Sequence, residues 1–68
     1  MNDETLNTEI RRFLKKVGIQ SHQAIEHAIH EGMASGQLEG TEHFNAVMQL
    51  HVDGLNLDLQ IKGDIALQ

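Results

Sequence analysis

Midway along the chain the apolar pattern changes its period, and that change limits what the chain can fold into. Up to Ser35 the apolar residues recur every three or four positions. From Phe44 onward they alternate. Phe44, Ala46, Met48, Leu50 and Val52 do so in "FNAVMQLHV"; Leu55, Leu57, Leu59, Ile61, Ile65 and Leu67 do so in "LNLDLQIKGDIAL". A period near 3.6 lines one side of a helix, and a period of 2 lines one face of a strand. The chain is therefore expected to be α+β, with its helices first and its strands after.

The helical half divides at Gly18. The stripe Leu6, Ile10, Phe13, Leu14 and Val17 predicts a first helix from about Asp3 to Val17. Asn2 or Asp3 can cap it, and Glu4 suits the positive end of its dipole. Lys15 and Lys16 then fall in a last turn, where cations are favoured. Gly18 supplies a left-handed stop, and Ile19 folds back onto the helix. A second helix is expected from Ser21, as N-cap, to about Ser35. Its apolar side is Ala24, Ile25, Ala28, Ile29 and Met33, with Gly32 on the same side and Gly36 as the stop. A link this short makes the pair a helical hairpin. Residues 37–43, "QLEGTEH", have no period and read as a loop.

Asp53-Gly54, between the two alternating runs, is a strong hairpin signal. A two-residue turn there pairs Val52 with Leu55, Leu50 with Leu57, Met48 with Leu59 and Ala46 with Ile61. His51–Asn56 and Gln49–Asp58 then pair on the polar face. Gly63 predicts a bulge or bend in the second strand. The expected architecture is one small α+β domain over residues 1–68. It has the order α-α-β-β, with the helices on one face of the sheet.

Size bears on assembly. A monomer of 68 residues buries only about 60% of the surface its unfolded chain exposes. Small domains need a staple, and the absence of cysteine excludes disulfides and thiolate metal sites. A lone two-stranded sheet is marginal and leaves both edges open. A homodimer is therefore expected, with the second strands pairing antiparallel across a twofold axis into a four-stranded sheet.

Composition excludes several functions. Ten acids against five bases give a net charge of −5, which suits solubility and not the phosphate backbone of nucleic acid. Two phenylalanines are the only aromatics, which argues against a base-stacking surface. No apolar run is long enough for a signal peptide or a membrane span. A cytoplasmic location, with no membrane partner, is the expectation.

Three features carry candidate chemistry. The stretch "SHQAIEHAIHE" places Glu26, His27, His30 and Glu31 at helical spacings of three and four on a wet face. Such a face can hold zinc or nickel weakly, but it does not match H-E-x-x-H. A solvated face with mild His–Glu pairing is the favoured reading, and no metal or other cofactor is expected. His22, His43 and His51 are scattered; His51 lies near Asp53 and within diagonal reach of Asp58. The run "RRFLKK" holds four of the five bases, Arg11, Arg12, Lys15 and Lys16, opposite Ile10 and Phe13. It is the candidate surface for an unidentified protein partner. Two helices and a hairpin also invite a winged-helix reading, but the second helix offers His, Gln and Glu to a groove, with no Arg or Lys. Nucleic-acid binding is disfavoured on that ground. There is no nucleophile with a base and no phosphate-binding glycine loop, so no enzymatic activity is expected.

Taken together, "IRRFLKKVGI", "EGMASGQLEG" and "HVDGLNLDLQIKGDIAL" resemble a family of short bacterial proteins filed only as a domain of unknown function. The resemblance covers nearly the whole chain. It implies a small cytoplasmic bacterial protein with no assigned activity, and no functional residues carry over from it. The leading expectation is a non-enzymatic homodimeric interaction or accessory protein. The alternatives are a winged-helix-like nucleic-acid-binding regulator and a weak His/Glu metal binder.

Overall fold

The computed structural model describes all 68 residues. It contains three elements, α1 (Asp3–Ala34), β1 (His43–His51) and β2 (Asp58–Ala66). They fall into two units, Met1–Gln37 and Leu38–Gln68. The α+β class holds, but the two-helix hairpin does not: one helix of 32 residues replaces it.

The helix runs unbroken through Gly18 because nothing there stops it. Gly18 does not adopt a positive φ, so the left-handed stop is not formed. No proline follows. A break would strip hydrogen-bond partners from backbone groups at two new helix ends, whereas a helical glycine costs only about 1 kcal/mol relative to alanine. Ser21 is accordingly a mid-helix residue and not an N-cap. Lys15 and Lys16 lie mid-helix too, and the true last turn has no basic residue. A helix-turn-helix arrangement has no counterpart in the fold.

Both ends of α1 are capped by recognisable chemistry. The Asn2 side chain accepts a hydrogen bond from the Thr5 amide at 3.1 Å, and Asp3 and Glu4 occupy the first turn. At the other end Ser35 Oγ donates to the Gly32 carbonyl at 3.2 Å. The Ser35 and Gly36 amides donate to Glu31 O (3.0 Å) and Met33 O (3.3 Å). Gly36, at φ 81°, is the left-handed stop. A side chain in that conformation costs about 1–2 kcal/mol. Gly36→Ala should therefore lower stability by about that amount, measurable by chemical denaturation.

The hairpin forms on the expected faces in a different register. Nine pairs run from His43↔Ala66 to His51↔Asp58, with Phe44↔Ile65, Ala46↔Gly63, Met48↔Ile61 and Leu50↔Leu59 on the apolar face. Each residue of β1 thus pairs two positions further along the chain than a two-residue turn at Asp53-Gly54 would require. A type I′ turn needs positive φ at both central residues. Only Gly54 has it, at 88°, and Asp53 does not. The Leu55 amide does donate to the Val52 carbonyl at 3.2 Å, so a turn forms. It is one corner of the connection between His51 and Asp58 and not the whole of it. Because the offset is two residues, every side chain keeps its face. Gly63 pairs with Ala46 inside a continuous ladder, and the expected bulge is absent.

The sheet has two strands only. No hydrophobic side chain is buried in the single chain. Leu6, Ile10, Phe13 and Leu14 on α1 are 42%, 45%, 52% and 51% exposed, and Leu59 and Ile61 on β2 are 46% and 53% exposed.

Candidate functional site

Helical spacing decides which side chains meet on α1. His22 Nε2 lies 2.9 Å from Glu26 Oε2, and His27 Nε2 lies 3.6 Å from Glu31 Oε1. Each pair is four apart, and each becomes an ion pair only when the ring is protonated. Glu26 thus turns back to His22 and not forward to His30. Glu26, His27, His30 and Glu31 do not converge on a point, and no group of three or more His, Asp or Glu residues is arranged to hold a metal ion. All four paired side chains are more than half exposed, where such pairs contribute well under about 1 kcal/mol.

The basic run, residues 11–16, occupies the later part of the N-terminal half of α1. Arg12 Nη1 sits 3.0 Å from Glu9 Oε1. Arg11, Lys15 and Lys16 form no ion pair within the chain. Arg11 also lines a shallow open hollow with Glu4, Asn7 and Thr8. The structure therefore leaves three cations available on a solvated face.

On the polar face of the sheet, Gln49 Nε2 donates to Asp58 Oδ1 at 2.6 Å. His51 Nε2 lies 3.1 Å from Asp53 Oδ1. His51 is opposite Asp58 in the ladder, but its ring is drawn to the turn residue instead. The outer edges of β1 and β2 carry no further strand.

One organised polar cluster lies outside the sequence-based candidates. The Glu42 carboxylate accepts from the Glu39 amide at 2.8 Å and from the Gly40 amide at 2.9 Å. Gly40 is at φ 100°, which turns both amides toward one point. The signal was present in "EGTE": a glycine able to turn left-handed, with a carboxylate two residues on. The Glu39 amide holds the Glu42 carboxyl below its ordinary 4.5, against an opposing effect of desolvation and with further support from the Gly40 amide. A carboxylate with a depressed folded-state pKa adds stability above the unfolded value and loses it as pH falls through the folded value. The loop should thus be firm above pH 4.5 and loosen below it. Glu42→Gln should remove this pH dependence and speed amide exchange at Glu39 and Gly40, as NMR titration and hydrogen exchange would show.

Over its full length, residues 1–68, the sequence matches a family described as "Family of unknown function (DUF6494)". The chain belongs to this family. No curated protein and no solved structure matches it. No helix of this DUF6494 member is long and apolar enough to cross a membrane.

Proposed function

We propose that this DUF6494 protein is a non-enzymatic interaction or accessory protein that works as a homodimer. The observation that supports this most directly is the absence of any buried hydrophobic side chain in the single chain. A hairpin of two strands is at best marginal in water, and helices draw most of their stability from packing an apolar face. Apolar surface of this extent marks association sites. The free edge of β2 is available for the twofold antiparallel pairing expected above. Arg11, Lys15 and Lys16 are available for an acidic partner.

Light scattering at low micromolar concentration tests the reading. The expected mass is twice the 7.6 kDa of the chain. A stable, folded species of 7.6 kDa would overturn it. The three unpaired cations are the one observation that favours a nucleic-acid-binding role instead. That role predicts a band shift that weakens steeply with salt.

A further inference from the structure

The open edge of β2 has a definite pattern of backbone groups. The Leu67 amide donates to the Glu42 carbonyl at 3.0 Å, one pair beyond His43↔Ala66 in the same register. Leu67 therefore turns its backbone groups toward β1. That direction alternates along a strand, so Ile65, Gly63 and Ile61 also face β1. Asp58, Gln60, Lys62, Asp64 and Ala66 direct their amides and carbonyls to the other side, where no further strand lies.

We propose that this edge pairs antiparallel with the same edge of a second copy, about a twofold axis at Gly63. This rests on the homodimer reading and gives it an axis and a register. With Gly63 at the axis, Lys62 of each copy lies opposite Asp64 of the other, so the ion pair forms twice. The outward backbone groups of these residues supply the hydrogen bonds between the copies. On the apolar face Ile61 meets Ile65 and Leu59 meets Leu67. Opposite charges and apolar side chains are both favourable directly across an antiparallel pair.

Charge complementarity selects this register. Lys62 and Asp64 are exposed, and neither forms an ion pair within the chain. An axis at Lys62 or at Asp64 would set like charges on each other, and an axis at Ile61 would set Asp58 against Asp64. An axis at Ile65 would set Lys62 against Gln68 and Gly63 against Leu67, with no ion pair. The open edge of β1 has no such code: centred on Val47, it would set His43 against His51. Gly63 agrees with the same centre. It is not at positive φ, and a Cβ there would meet nothing within 4 Å. Nothing in the hairpin itself requires a glycine, which weakens a strand interior and often marks close approach of another backbone. At the axis Gly63 faces its own copy in a non-hydrogen-bonded pair, where Cα atoms come to about 4.5 Å.

The chain has no cysteine, so single-cysteine variants report geometry cleanly. Gly63→Cys, Gln60→Cys and Val47→Cys are each oxidised mildly, while light scattering of the reduced proteins records the mass. About 4.5 Å between Cα atoms is within disulfide range, whereas the two copies of residue 60 would lie about 20 Å apart along the strands. Gly63→Cys should therefore give a covalent dimer at least about tenfold faster than either other variant. Crosslinking at Gln60→Cys or Val47→Cys as fast as at Gly63→Cys would overturn the proposal. A dimeric mass with no crosslink at Gly63→Cys would overturn it and leave the homodimer reading standing. A monomeric mass for the unchanged protein would end both. A second measurement uses charge reversal at exposed positions and does not depend on how Gly63→Cys folds. Lys62→Glu and Asp64→Lys should each raise the dissociation constant by about tenfold. Mixing the two variants should restore association, because every charge then faces its opposite. Failure of the mixture to associate better than either variant alone would also overturn the proposal.

Discussion

Gly18→Ala should stabilise the protein by about 1 kcal/mol, and Gly18→Pro should destabilise it by about 3 kcal/mol or more. The reasoning is local. Gly18 is an interior residue of α1 and not at positive φ, so alanine fits its backbone and reduces the freedom of the unfolded chain. A Cβ there would meet nothing within 4 Å. Proline would remove one helical hydrogen bond and press against the preceding turn. The sign of the alanine result is decisive. Had the chain turned at Gly18 in a left-handed cap, alanine would cost about 1–2 kcal/mol. Urea denaturation followed by far-UV circular dichroism reads both variants, and destabilisation by Gly18→Ala would contradict the continuous helix.

If the proposed homodimer buries the apolar stripe of α1, Val17→Asp should raise its dissociation constant by about a hundredfold or more. Burying a valine-sized side chain contributes about 1.5–3 kcal/mol, and a twofold interface loses it twice. The total of about 3–6 kcal/mol corresponds to two to four decades. The new carboxylate would add a desolvation cost. Gln23→Asp, on the opposite side of the same helix, should change the constant by less than about threefold. Sedimentation equilibrium on the two variants supplies the comparison. Similar effects at both positions would show that the stripe is not the contact surface.

The strands were easier to read from sequence than the helix was. Alternation from Phe44 to Leu50 and from Leu59 to Ile65 fixed which side chains share a face, and face assignment survives a two-residue change of register. The register itself depended on backbone angles at Asp53, which sequence suggests but does not determine. In the helical half, "KKVGI" imitates a helix end: cations, a glycine and a following apolar residue. The stronger signal was the phase of the stripe, which a true break would have reset. A local motif was thus set against a long-range pattern, and hydrogen bonding along 32 residues settled it.

Much the same holds for the polar groups. Spacing by four correctly pointed to His27–Glu31, but it allowed Glu26 two histidines, and His22 is the one it meets. Glu42 is harder to read, because its partners are backbone amides and only the glycine two residues before it, in "EGTE", hints at them.

Glu42 fastens its unit at a second point as well. While its carboxylate gathers the Glu39 and Gly40 amides, its carbonyl accepts from the Leu67 amide at 3.0 Å. One residue therefore clasps both the segment entering the hairpin and the segment leaving it. Truncation directly after Leu67 would leave the clasp intact, whereas truncation before Leu67 would open it. The segment that leaves β2 thus helps hold the approach to β1, and insertions placed directly after Leu67 act on that joint.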